Sequence, residues 1–223
     1  AIGDMLAGAA SARLLSWSIE LGDGEVALLR YTLDVREGGI IPATAPLNQR
    51  IEAMVRGWQP AVEASLAAIG DRGQAARLAL RYAGAFPMAY RTGAGPDEAA
   101  LDIVGLHALA SETSRNVRFY RNIDDASALL RMKLYSLGAV ALSDAVPALE
   151  NFGFRVIEEL STPVGGGALG HIQKFVLEAP VGSNAATIVA APGNIQRAIA
   201  RVLEGVAEDD RFNQLVVELG FDR

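Results

Sequence analysis

Gly165-Gly166-Gly167-Ala168-Leu169-Gly170 has the G-x-G-x-x-G spacing that lets a backbone turn approach a pyrophosphate. That chemistry needs a strand before the glycines and a helix after them, whose N-terminus holds the phosphates. Residues 154–160 read as a strand, but residues 171–177 read as another strand, so the glycines are expected to form a hairpin loop. His107 and His171 are far apart and lack H-x-x-x-H or H-E-x-x-H spacing, so structural roles are expected and no metal site is predicted. Glu158 and Glu159 are neighbours on a strand and point to opposite faces, which prevents them from flanking one scissile bond. Ser143 precedes Asp144 at a helix start, where a capping role is expected, and no G-x-S-x-G accompanies it. Arg131 and Lys133 project from the polar side of a strand, placed either to take a carboxylate ligand or to pair with acids. No catalytic residue is predicted.

Composition narrows the classes further. The 223 residues contain no cysteine, which excludes disulfides, a thiolate nucleophile and cysteine-ligated zinc. A net charge of -6 disfavours nucleic acid as a partner. Residues 179–196 are uncharged over nearly the length of a membrane span, but their prolines, glycines and asparagines read as loop, so no membrane partner is expected. Asp4 interrupts the first apolar stretch and no basic region precedes it, so no secretory signal is read and a cytoplasmic location is expected. The chain opens at Ala1, and helical patterning runs almost to Arg223; both ends are expected to continue into a longer chain.

The elements that would position these residues follow from periodicity. Leu15, Trp17, Ile19 and Leu21 alternate with polar residues, and Ala27, Leu29, Tyr31, Leu33 and Val35 form a second apolar face. With the turn signal Gly22-Asp23-Gly24-Glu25 between them, they predict a β-hairpin with one face buried, taken as the remnant of a preceding domain. Leu47, Ile51, Met54, Val55, Trp58, Val62, Leu66 and Ile69 have helical spacing, and Pro60 is expected to kink or split that helix. Trp17 and Trp58 fall on apolar stripes and are expected in the core or an interface. A second helix carries Leu78, Tyr82, Phe86 and Tyr90; a third starts at Pro96-Asp97-Glu98 with a thinner stripe of Leu101, Val104 and Ala108. The rest reads β-α-β-β-α. Leu130, Met132 and Leu134 mark a strand, Val146, Leu149 and Phe152 a helix ended by Gly153, and Ile195, Ile199, Val202 and Val206 a second helix.

This order, with Leu137-Gly138-Ala139-Val140-Ala141-Leu142 between first strand and first helix, resembles an ACT domain. A closer resemblance runs through 130–135 and 142–159, including Pro147-Ala148-Leu149-Glu150-Asn151-Phe152-Gly153 and Arg155-Val156-Ile157-Glu158-Glu159. Arg81-Tyr82, Ala85 to Arg91, Asp102-Ile103 and residues 209–216 extend it. These stretches are similar to the N-terminal ACT-like regulatory region of the large bacterial NAD-dependent glutamate dehydrogenases. Asp222-Arg223 and Lys174-Phe175-Val176-Leu177 depart from that family's pattern.

The resemblance implies an α+β fold: an ACT-like, ferredoxin-like βαββα domain with a helical linker segment and a leading hairpin. The expected divisions are 1–40 (hairpin), 41–115 (helical linker), 116–208 (ACT-like) and 209–223 (start of a connecting helix). It implies a non-catalytic, allosteric role in a homo-oligomeric enzyme that converts glutamate to 2-oxoglutarate and ammonia with NAD, the NAD lying outside this chain. It also implies an amino-acid effector site at Leu137, Gly138, Ala139, Leu142 and Ser143. A purely structural assembly module is the alternative. An ACT sheet has a fourth strand, which here lies beyond the chain, is supplied in permuted fashion by residues 115–120, or is absent.

Overall fold

The structure is a computed structural model that describes residues 2–21, 27–36, 38–55 and 57–219. The predicted turn at Gly22 to Glu25 and the Asp222-Arg223 pair lie outside the described residues. The chain divides into two units, Ala1–Gly57 and Trp58–Arg223.

The first unit holds helix α1 (Ile2–Ala10), strands β1 (Arg13–Leu21) and β2 (Ala27–Asp34), and helix α2 (Thr44–Val55). The two strands pair antiparallel with a bulge between Leu14 and Ser16. Their apolar face is not buried as expected: Trp17 is 64% and Ile19 51% exposed. Helix α1 covers only one end of the hairpin, at Leu14 and Tyr31.

The second unit begins with four helices: α3 (Trp58–Ile69), α4 (Arg72–Tyr82), α5 (Met88–Gly93) and α6 (Pro96–His107). The long periodic stretch over 47–69 is thus two helices, with Pro60 in the first turn of α3, where its missing N–H costs nothing. Asp71 starts a helix as well as following one, because its carboxylate accepts from the Gln74 amide at 2.8 Å. Pro96 sits at the start of α6 as predicted, with Asp97 and Glu98 in its first turn. The buried face of α6 differs from the predicted stripe. Leu101 and Val104 are 39% and 46% exposed, while Ala99, Asp102, Ile103 and Leu106 are buried. A charged residue occupies the i+3 position of the core-facing stripe, so apolar periodicity points to the wrong side.

Strands β3 (Arg115–Tyr120) and β4 (Leu129–Ser136), helix α7 (Leu142–Asn151), strands β5 (Arg155–Val164) and β6 (Gly170–Glu178), and helices α8 (Ala185–Ala190), α9 (Gly193–Leu203) and α10 (Gln214–Leu219) complete the unit. The sheet is antiparallel with order β3-β4-β6-β5. This is the ACT-like ferredoxin sheet in permuted form. The edge beside β4 is filled from the N-terminal side by β3, which settles the three options for the fourth strand.

Helix α7 ends in a Schellman turn: Phe154 N–H donates to Leu149 O at 3.1 Å and Gly153 N–H to Glu150 O at 2.8 Å, with Gly153 at φ 83°. Gly165, Gly166 and Gly167 all have positive φ and link β5 to β6, so no helix follows the glycines and no pyrophosphate seat forms there. The stretch 179–196 is not all loop. Asn184 caps α8 through the Ala186 amide at 2.8 Å, and α8 buries Ala185 and Ile188. No described helix is long and apolar enough to cross a membrane.

Both faces of the sheet are covered. Leu130, Met132, Leu134, Phe175 and Leu177 pack with α7, α8 and α9. Tyr135, Val164 and Ile172 pack with α3, α4 and α6. Close approach of α6 depends on Gly105, where an added Cβ would lie 2.8 Å from the Tyr135 ring. Gly105→Ala is therefore expected to destabilise the second unit by about 1–3 kcal/mol, because overpacking displaces a buried ring. Urea unfolding of the two proteins measures this.

Candidate functional site

Two clefts and one buried polar cluster are candidates for function. The first cleft, about 580 Å³, lies where the β4–α7 loop meets the C-terminal end of α9. Ala139 and Ser143 line it, with Arg115, Asp144, Glu204 and Asp209. Of the five residues predicted as a site, these two share the cleft, while Leu137, Gly138 and Leu142 do not line it. Leu142 is 46% exposed, and a Cβ on Gly138 would meet nothing within 4 Å. Ser143 is not the helix cap. Ala141 is extended, and its carbonyl accepts from both Asp144 and Ala145 at 3.0 Å, so Ser143 already lies inside the first turn. Its hydroxyl instead donates to Asp144 at 3.2 Å.

Two polar groups border this region without a described partner. Arg115 donates from Nη1 to the carbonyls of Glu112 and Ser114, yet its Nε is buried and unpaired. Gln173 donates to Val140 O at 3.0 Å, which holds the loop before α7, while its Oε1 is buried and unpaired. An unpaired buried polar atom is costly unless something satisfies it.

The buried cluster centres on Asp102, which is fully buried on α6. Its Oδ2 accepts from Tyr90 OH and Lys133 Nζ, each at 2.5 Å. Its Oδ1 accepts from Tyr135 OH at 2.8 Å and from Arg118 at 3.2 Å. Arg118 also pairs with Glu98 at 2.6 Å, and Lys133 pairs with Glu98. One carboxylate thus takes four donors from one helix and two strands. Arg131 is held by Asp125 at 2.7 Å, so both strand cations named from sequence pair with acids of this chain.

The cluster sets proton affinities. Burial raises the Tyr90 and Tyr135 hydroxyls well above the usual phenol range, and the Asp102 charge adds to it. Burial and Glu98 push Tyr120 up to about 12. Burial works against the charge of Glu98, but Lys133 and Arg118 outweigh it and hold the carboxyl below its ordinary value. Burial also opposes the Arg118 charge, which Tyr135, Glu98 and Asp102 more than offset.

Sequence reasoning named Arg131 and Lys133 but missed Asp102, Tyr90 and Tyr135 as a group. The available signal was the acid at position 102 of an otherwise small and apolar face, Ala99, Ile103 and Leu106. A charge at i+3 on such a face calls for a buried cation opposite it.

Residues 114–188 match the family model for the glutamate dehydrogenase ACT3 domain, and residues 65–109 match glutamate dehydrogenase helical motif 2. The NAD-specific glutamate dehydrogenase of Halomonas elongata is 28% identical over 179 residues, covering 79% of this chain and 11% of the relative. That of Pseudomonas aeruginosa is 27% identical, covering 78% and 11%. That of Mycobacterium tuberculosis is 26% identical over 226 residues, covering 92% and 14%. The chain belongs to the NAD-specific glutamate dehydrogenase family. It spans only 11–14% of the length of these relatives.

The two matched modules meet at Asp102. Helical motif 2 supplies Tyr90, Glu98 and Asp102, and the ACT3 domain supplies Arg118, Lys133 and Tyr135. The ACT3 match opens at residue 114, just before β3, so the permuted strand lies inside the matched domain.

Asp102→Ala leaves Lys133 with Glu98 alone and takes the buried acceptor away from Tyr90 and Tyr135. It is expected to cost about 3–5 kcal/mol, whereas Asp102→Leu with Lys133→Met recovers much of the loss. Denaturant melts of the single and double variants check both. The lowered Glu98 value contributes stability that is present above the ordinary carboxylate range, about pH 4.3, and is lost as pH falls through the folded value. Glu98→Gln is expected to flatten the acid limb of the Tm–pH curve. At the other end, Tyr90 and Tyr135 are expected to stay neutral in a phenolate absorbance titration until the chain unfolds.

Proposed function

We propose that this chain is a regulatory segment of an enzyme that oxidises glutamate to 2-oxoglutarate and ammonia with NAD, and that its ACT3 domain binds a small amino-acid effector at the start of α7. The observation that carries the reading is the chemistry of the smaller cleft. An amino acid presents a carboxylate and an ammonium a few bonds apart. The first-turn amides of α7 and the unpaired Nε of Arg115 suit the carboxylate, and Asp144, Glu204 and Asp209 suit the ammonium. Family membership supports the wider setting, because the relatives are named NAD-specific glutamate dehydrogenases.

In this reading hydride transfer and NAD binding belong to other parts of the longer protein. The Gly165–Gly167 turn opens into a strand and gives a dinucleotide no helix N-terminus. The segment acts by coupling: a differential affinity equivalent to about 1–3 kcal/mol between two states of the enzyme is enough for control. The enzyme is cytoplasmic and homo-oligomeric.

A second reading, an assembly module without a ligand, draws on the hairpin. Trp17 and Ile19 form an exposed apolar face of the kind that marks an interface.

A thermal-shift series with the common amino acids and 2-oxoglutarate separates the two. The sensory reading expects a saturable rise with one ligand, about 2.7 kcal/mol of added stability at a hundredfold excess over Kd. Ser143→Leu, which fills the cleft from an exposed position, is expected to abolish it. A flat response across the series favours assembly.

A further inference from the structure

A larger cleft, about 830 Å³, opens between the sheet and the α5–α6 corner of the helical segment. Its size fits a small metabolite. Its floor is the side of the sheet opposite α7 and α9, and cations dominate it. Arg118 on β3 pairs in register with Lys133 on β4, and Lys133 pairs in register with Lys174 on β6. Three positive side chains thus stand side by side across three adjacent strands, all lining the cleft. Like charges placed directly opposite each other on one sheet face repel.

Among the described residues, acids answer only two of the three. Glu98 and Asp102 neutralise Arg118 and Lys133. Lys174 is half-buried and has no hydrogen-bond or ion-pair partner among the described residues. The acids nearby are committed or displaced. Asp125 holds Arg131 in the next row, and Glu158 sits opposite Val176, exposed and outside the cleft lining. Arg121 also lines the cleft, its guanidinium donating to the backbone carbonyls of Asp125, Ala126 and Leu129 at 3.0 Å. Across the cleft, Gly95 precedes α6 and no side chain caps the helix, so the amides of Asp97 and Glu98, which follow Pro96, are open to an acceptor.

We propose that this cleft is a second ligand site, which takes a small metabolite carrying a carboxylate or phosphate, with Lys174 as the cation that pairs with it. The anion supplies the counter-charge missing from the Arg118–Lys133–Lys174 row. It also bridges the sheet to the α5–α6 corner, joining helical motif 2 to the ACT3 domain. The aromatic Tyr120 and the β5 side chains Leu160 and Thr162 give the apolar and hydroxyl walls for the rest of the molecule. This site is separate from the amino-acid cleft at α7, and neither proposal depends on the other.

Calorimetric titration of this chain with inorganic phosphate, succinate and 2-oxoglutarate, at ionic strength matched with sodium chloride, tests it. The expected result is saturable binding of at least one probe, weakened at least tenfold in Lys174→Met, retained in Lys174→Arg and unchanged in Ser143→Leu. Without ligand, Lys174→Met is expected to melt at or above the wild-type temperature, since it removes a repelling charge. Binding lost in Ser143→Leu but kept in Lys174→Met would assign the anion to the α7 cleft and overturn the proposal. No saturable binding by any of the three probes would also overturn it, the row then being matched by an acidic side chain from elsewhere in the longer protein. A lower melting temperature for unliganded Lys174→Met would make the lysine structural and overturn it as well.

Discussion

The carboxylate of Asp102 is the group on which the second unit's arrangement turns. A charge removed from water is tolerated only where its lone pairs are all met and its counter-charge is close. Tyr90 from α5, Arg118 from β3, and Lys133 and Tyr135 from β4 meet that demand. The requirement is geometric as well as electrostatic. Helix α6 has to sit at one height and one rotation over β3 and β4 for four donors to converge, and Gly105 lets it sink far enough. Apolar packing alone, which is nondirectional, would allow neighbouring registers. The polar cluster makes them expensive.

Because α6 is pinned, the sheet is covered on both faces within one unit, and the two family modules become one structural body. The same pinning shapes the ligand sites proposed here. With two of three aligned cations neutralised from the helix side, the third is left lining the cleft. On the opposite face, the loop leaving β4 is held by Gln173 and forms one wall of the smaller cleft. Strand β4 therefore belongs to both places. Its Lys133 borders one cleft, and the segment that follows Ser136 borders the other. Two ligands acting on a shared strand would be energetically coupled wherever binding shifts that strand, and such coupling is reciprocal.

Much of this was legible in the amino-acid sequence because it rests on short-range rules. Pro96-Asp97-Glu98 marks a helix start, Gly153 marks a Schellman end, and alternation over 130–134 marks a strand, each decided by residues within a turn or two. The glycine run at 165–167 could be read as a hairpin rather than a phosphate loop because a strand pattern, not a helical one, follows it. The resemblance to a glutamate dehydrogenase regulatory region rested on the same local stretches.

Tertiary structure decided what depends on partners distant in sequence. The fourth strand was one of three options until Arg115–Tyr120 paired with β4, since an edge position is set by which strand arrives and not by its own pattern. The inward face of α6 was misread because its central residue is charged, and burial of Asp102 depends on Lys133, 31 residues away. Ser143 reads as a cap from its type, but Ala141 holds the cap position, with its backbone extended and its carbonyl accepting from Asp144 and Ala145, and the helix begins at Leu142. The hairpin's apolar stripe predicted burial, yet only one end is covered, because a pattern records that a face is apolar and not what meets it. Local order follows from the residues in the stretch itself, whereas the buried charge, the clefts and the unpaired Lys174 exist only once strands and helices far apart in the chain are brought together.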